Sequence, residues 1–97
     1  MRHEIILAPH AVEDLGRLSA RDRSTVLDAI ERHLRYEPQK PSRSRIKVLR
    51  GIDRPQYRLR IGDLRVFYDV NLGTVEILAI VAKAEASQWL EQYGGKK

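Results

Sequence analysis

Hydrophobic positions along the chain change period part-way, from a helical spacing to a strand-like alternation. The segment "HEIILA" (His3 to Ala8) is short, apolar and β-branched, which predicts a strand. Pro9 follows, well suited to the first turn of a helix. Val12, Leu15 and Leu18 then recur in steps of three, the apolar stripe of a helix from Pro9 to Leu18. Ser19 reads as an N-cap, with Asp22 in the acidic position three residues on. A second helix is predicted over Ala20 to Tyr36, with Val26, Leu27, Ile30 and Leu34 inward and Arg21, Arg32 and Arg35 in water. Pro38 ends it, because the residue before a proline is pushed out of the α region. With one or two residues between them, the two helices predict an antiparallel α-hairpin.

After the polar loop "EPQKPSRSR" the period becomes two. "IKVLRG" (Ile46 to Gly51) alternates as a strand and "IDRP" reads as a turn. Two long strands follow, joined at Gly62-Asp63, a Gly-X pair that signals a tight hairpin. A further strand runs from Val75 to Ala82, apolar on both faces and therefore central. "KAEASQWLEQYGG" predicts a C-terminal helix with Ala86, Trp89, Leu90 and Tyr93 on its apolar side and Gly94 as its stop. The fold class is α+β: an N-terminal strand and an antiparallel α-hairpin packed on one face of a small, mainly antiparallel twisted sheet, with a short C-terminal helix. Residues 1–97 are expected to form one domain.

The hairpin has a consequence for chemistry. A two-residue loop at Gly62-Asp63 sets Arg60 opposite Arg65, Leu59 opposite Val66, Arg58 opposite Phe67 and Tyr57 opposite Tyr68. Alternation then gives one apolar face, Tyr57, Leu59, Ile61, Leu64, Val66 and Tyr68, suited to packing on the helices. The other face carries Arg58, Arg60, Arg65 and Phe67, with Gln56 and Asp69 at its far end. Like charges directly across a ladder repel by up to about 1 kcal/mol. Three guanidinium groups beside one aromatic ring suit a phosphate with a stacked base. The alternative is that acids such as Glu76 or Glu85 neutralise the cluster internally.

Charge distribution changes the picture further. Lys40 to Arg65 holds nine basic residues, Lys47, Arg50 and Arg54 among them, against Asp53 and Asp63. That local balance of +7 leaves −2 for the remainder of a chain whose net charge is +5. Such asymmetry is the footprint of a nucleic-acid partner or of an acidic protein. Thirteen of the eighteen basic residues are arginine, whose planar fork matches phosphate. There is no cysteine, which excludes disulfides and thiolate metal sites. His3, His10 and His33 lack metal-ligand spacing, so neither a metal nor another cofactor is expected. The longest apolar run, Ile77 to Ala82, is far short of a membrane span, and the N-terminal apolar patch is too short for a signal peptide. A cytoplasmic location is the default expectation.

Strand, α-hairpin, then the order "KVLRG…YRLRIGDLRVFYDV…VEILAIVAKAEAS" resembles the RelE/ParE superfamily of toxins from type II toxin–antitoxin pairs. The resemblance spans about Arg2 to Tyr93 and is most specific at Leu49-Arg50-Gly51, Tyr57-Arg58-Leu59-Arg60 and Leu64-Arg65-Val66-Phe67-Tyr68. It implies a compact toxin silenced by a cognate antitoxin, a small acidic protein, in a complex that is oligomeric on operator DNA. In the RelE branch it implies ribosome-dependent mRNA cleavage by 2′-hydroxyl attack on phosphate, an endoribonuclease (mRNA interferase) activity that inhibits translation. In the ParE branch it implies inhibition of DNA gyrase without nuclease chemistry. A non-toxic, antitoxin-bound corepressor is a third reading.

For the RelE-type reaction, the resemblance assigns phosphate stabilisation to Arg58, Arg60 and Arg65. Two of these stand where RelE proteins carry lysine, and an arginine is a poor general base. The arginine and tyrosine that such proteins carry later align near Ala84 and near Trp89 or Leu90, and neither type is kept. Lys83 stands in for the missing cation and Tyr93 for the missing phenol, while Glu85 is the only acid near the expected cleft. Lys47, Arg50, Arg54 and Phe67 complete an RNA surface. Trp89, Leu90 and Tyr93 either meet the antitoxin or simply pin the last helix to the core.

Overall fold

The computed structural model describes residues 1–96. In chain order the elements are β1 (Glu4–Leu7), α1 (Pro9–Arg17), α2 (Ala20–Leu34), β2 (Ile46–Val48), β3 (Ile52–Arg54), β4 (Tyr57–Ile61), β5 (Leu64–Asn71) and β6 (Thr74–Ala82). A 3₁₀ turn (Lys83–Glu85) leads into α3 (Ala86–Tyr93), and β7 (Gly95–Lys96) follows. Five strands form one sheet in the order β1-β6-β5-β4-β2, with β1 parallel to β6 and every other pair antiparallel. β3 and β7 make a separate two-stranded pair. The α+β architecture is the one the periodicities predict. No helix of the described residues is long and apolar enough to cross a membrane.

The core lies between the α-hairpin and one face of the sheet. Ala11, Leu15, Val26, Ile30 and Leu34 pack against Leu59, Val66, Tyr68, Val75, Ile77 and Ile80. Ser19 caps α2, its Oγ accepting from the Asp22 N–H at 3.1 Å. Arg23 closes the helix–helix corner by donating from Nε to the Leu15 carbonyl and from Nη2 to that of Leu18, both at 3.0 Å. These carbonyls lie at the C-terminal end of α1, where helix geometry leaves acceptors open, and that of Leu15 also takes the Leu18 N–H at 3.2 Å.

Several details differ from the pattern. Val12 is 54% exposed, and Ala11 takes its place inside. A three-residue step drifts round the helix, so Ala11, Leu15 and Leu18 are the set that stays on one side. Leu27 is likewise at the rim, 41% exposed. α2 ends at Leu34 rather than Tyr36. Arg35, expected in water, is half-buried, pairs with Glu31 and donates from Nη1 to the His3 carbonyl at 2.9 Å. The strand expected over Ile46–Gly51 stops at Val48, and the "IDRP" segment contains a strand, β3, because its edge finds β7. The last helix begins only at Ala86, after the 3₁₀ turn.

The predicted hairpin register is observed residue for residue: Tyr57 with Tyr68, Arg58 with Phe67, Leu59 with Val66, Arg60 with Arg65 and Ile61 with Leu64. Gly62 supplies the turn with φ +55°. Between β5 and β6 the register shifts, Tyr68 pairing with Ile77 but Phe67 with Ala79, so Leu78 is an extra residue in β6. The shift keeps Ile77 and Ile80 both in the core, three residues apart, where strict alternation would separate them. It also explains why this strand reads as apolar on both faces.

Candidate nucleic-acid interface

Alternation along β4 and β5 carries Arg58, Arg60, Arg65 and Phe67 to the face opposite the α-hairpin. β2 extends the rows. Lys47 stands across from Arg58, and Arg45 flanks Arg60, whose N–H donates to the Arg45 carbonyl at 2.9 Å. Two cross-strand rows result, Lys47–Arg58–Phe67–Ala79 and Arg45–Arg60–Arg65–Val81. Among the described residues, no ion pair involves Arg45, Lys47, Arg58, Arg60 or Arg65.

The three central arginines differ in environment. Arg60 is exposed. Arg65 is only 6% exposed, and its Nη1 donates to the carbonyls of Gly62 and Leu64, each at 2.9 Å. That guanidinium therefore braces the hairpin turn as well as charging the face. Arg58 is half-buried, and its Nε is buried without a partner. Burial first, then the like charges of Arg65 and Arg60, pull its pKa below the ordinary arginine value. An anion placed against these groups would relieve both causes.

Phe67 is not available on this face. α3 lies over it, and the Trp89 ring stacks on Phe67 with centroids 4.9 Å apart and planes within 4°. Phe67 is 1% exposed, so the expectation of a bare ring among the arginines is corrected. The face is open only over its arginine-bearing part. Trp89 and Leu90 are half-buried by the same docking, while Tyr93 is 53% exposed.

The other expected residues divide into those near the rows and those away from them. Lys83 and Glu85 are exposed on the 3₁₀ turn, which is held to the hairpin tip by the Lys83 N–H donating to the Asp63 carbonyl at 2.7 Å. They flank the Arg60–Arg65 end. Tyr93 sits at the far end of α3, about 12 Å along the axis from Glu85. It packs beside His10 with ring centroids 5.8 Å apart, away from the arginines. Arg50 is exposed in the loop before β3. Arg54, expected to bind RNA, is committed elsewhere: Nε donates to Asp69 Oδ2 at 2.7 Å and Nη2 to Glu76 Oε1 at 3.0 Å. Asp69 thus neutralises Arg54, not Arg65. Arg45, one of the nine basic residues between Lys40 and Arg65, joins the site as well, because pairing "IKV" with "YRL" places it beside Arg60.

This arrangement can hold a polyanion across two strands, and it offers no group at the rows suited to take a proton at neutral pH. The chain matches the family described as ParE toxin of type II toxin–antitoxin system, parDE, over residues 5–86. No curated protein matches it. Among solved structures, the archaeal RelE–RelB complex from Pyrococcus horikoshii OT3 is 27% identical, covering 86% of this chain and 97% of that one with a TM-score of 0.70. The RelBE2 toxin–antitoxin complex from Mycobacterium tuberculosis is 25% identical, covering 84% and 99% with a TM-score of 0.65. A mutant of the E. coli toxin RelE in the free state shares the fold at 20% identity, covering 94% and 93% with a TM-score of 0.70. With the family match covering most of its length, the chain belongs to the ParE toxin family, within the RelE/ParE superfamily of type II toxins.

Proposed function

We propose that this toxin arrests translation by holding mRNA on the ribosome against the arginine rows and cleaving it slowly, and that a small acidic antitoxin silences it. The observation that carries this reading is the row geometry: Arg58, Arg60 and Arg65 share one face with Lys47 and Arg45, with no ion pair among the described residues. Guanidinium groups bind phosphate oxygens bidentately and stabilise the charge of a crowded phosphorane. In the reaction the ribose 2′-oxygen bonds to phosphorus, the bond to the 5′-oxygen breaks, and a cyclic phosphate and a 5′-hydroxyl result. The 2′ proton passes to Glu85 or to water, and the leaving oxygen takes one from Lys83 or from water. Arginine keeps its proton at neutral pH, so the cations supply binding and charge stabilisation and little of the proton transfer. That is the reason for a slow reaction. The antitoxin is drawn by the +7 segment, and two of the similar solved structures, those from Pyrococcus horikoshii OT3 and Mycobacterium tuberculosis, are toxin–antitoxin complexes.

A second reading is favoured by the same lack of a base together with the ParE family match: a protein–protein block of DNA gyrase without chemistry. Mapping RNA ends after mixing the purified protein with mRNA, with and without ribosomes, tests the proposal. Cleavage that needs ribosomes and is lost in Arg60→Ala supports it. Inhibition of gyrase supercoiling with intact RNA replaces it by the second reading. Arg60 is the residue of choice because Arg65 also braces the turn.

A further inference from the structure

Phe67 is the one flat apolar ring in the arginine rows, and it is occupied. Its neighbours across the ladder are Arg58 and Ala79, and Lys47 follows Arg58 on β2. A ring beside two cations is the arrangement by which single-stranded nucleic acids are held, bases on the aromatic and phosphates on the charges. What covers it has the shape of a base. The indole of Trp89 is a bicyclic plane lying within 4° of parallel to Phe67, with centroids 4.9 Å apart.

The cover is lightly held. α3 has eight residues and none of them is buried. A helix of that length does not persist without docking. Two separate clefts adjoin the indole. A cavity of about 450 Å³, lined among others by Pro9, Pro55 and Leu78, and a second of about 180 Å³, lined by Val81, Gln88 and Gln92, both have Trp89 in their walls. The indole can therefore leave Phe67 without unpacking the core between the sheet and the α-hairpin.

We propose that Phe67 is a nucleobase-stacking site for single-stranded RNA, and that Trp89 keeps the base's place in the free protein and yields it when RNA binds. The inference rests on the arginine rows being an RNA surface. Phosphates on Arg58 and Lys47 bring a base over Phe67, one parallel aromatic contact replaces another, and the buried Nε of Arg58 gains a partner. RNA binding and movement of α3 are then one event.

Trp89 is the sole tryptophan, so its emission reports its own environment. The intact toxin is titrated with a labelled 2′-O-methyl oligoribonucleotide, which it cannot cleave, following anisotropy and tryptophan emission together. Binding is expected to shift the emission to the red as the indole enters water. An oligonucleotide of the same charge with abasic residues is expected to bind without that shift. Phe67→Leu should weaken binding of the base-bearing strand about fivefold or more and leave the abasic strand unaffected, and Trp89→Leu should tighten binding by a similar factor. Thermal melts check folding, and Phe67→Met takes over if the leucine variant does not fold. RNA binding with unchanged emission, undiminished affinity in the Phe67 variants, or weaker binding by Trp89→Leu overturns the stacking site and leaves the arginine reading standing. No RNA binding by the unaltered protein overturns both.

Discussion

Arg54 and Asp69 are joined by a 2.7 Å hydrogen bond from guanidinium Nε to carboxylate Oδ2, fifteen residues apart in the chain. The other carboxylate oxygen accepts the Gln56 N–H, also at 2.7 Å. Asp69 therefore fixes the start of β4 from a buried position on β5, and its charge helps raise the Arg54 pKa, chiefly through that hydrogen bond. Asp69→Ala would strand a backbone donor and leave Arg54, among the described residues, only its pair with Glu76. We expect a loss of about 2 kcal/mol in urea denaturation, with an unchanged denaturant slope. A loss within error of zero would show that water replaces the carboxylate at no cost.

Tyr68 sits in the core, stacked on Tyr57 at 5.3 Å, and its hydroxyl donates to the Pro38 carbonyl at 2.6 Å. This bond ties the loop after α2 to the sheet. Burial, and secondarily Tyr57, pushes its ionisation up from the ordinary 10.0. The folded state thus favours the neutral phenol. The resulting stability is complete below pH 10 and is lost as the pH rises beyond it, because the unfolded chain gives up its proton first. Melting temperatures across pH 8 to about 11 should fall more steeply for the wild type than for Tyr68→Phe. At neutral pH the phenylalanine variant should be less stable by about 1 kcal/mol.

Leu72 is 96% exposed with φ +46°, followed by Gly73 at +82°. Two successive positive φ values fit a tight hairpin whose first central position prefers Asn, Asp or Gly, and a leucine there is strained. Leu72→Asn should stabilise the protein by about 0.5–1 kcal/mol without touching the arginine rows. An unchanged or lower midpoint in chemical denaturation would mean that leucine makes contacts in the turn that offset its strain.

Arg60 offers the cleanest measure of electrostatic binding, being exposed and free of any ion pair among the described residues. Affinity for single-stranded RNA should fall with salt at a logarithmic slope of about −0.7 for each phosphate neutralised. Arg60→Ala should reduce the magnitude of that slope by about 0.7 while leaving the protein folded. Equal slopes for the two proteins would remove Arg60 from the interface.

The hairpin was legible because two independent signals agree on it. The alternation of "YRLRI" and "LRVFY" fixes which side chains share a face, and Gly62-Asp63 fixes the register. The arginine rows follow from those two facts alone. What escaped sequence reasoning depends on packing between distant segments. Whether Asp69 would neutralise Arg65 on its own strand or Arg54 elsewhere is decided by the path of β3, whose pairing with the two residues of β7 leaves almost no pattern. The Trp89–Phe67 stack depends on the 3₁₀ turn, which sets where α3 begins and hence which of its sides meets the sheet. Val12 and Leu27 show a simpler limit: a stripe drawn in steps of three, or with an adjacent pair, leaves the buried side of a helix within a turn.

The supernumerary Leu78 has a bearing on which length changes this chain tolerates. It reverses parity within β6, so that Val75 and Ile77 before it and Ile80 after it look the same way. Removing Leu78 would only make the ladder regular, with Ile77 and Ala79 in succession and Ile80 still on the core side, whereas a residue added between Ala79 and Ile80 would exchange inside for outside over the remainder of the strand, turning Ile80 away from the helices and Val81 toward them. Everything downstream, including the ring above Phe67, would be re-aimed with it. Insertions at the Leu72 tip carry no such penalty, which makes that loop the natural place to add a tag.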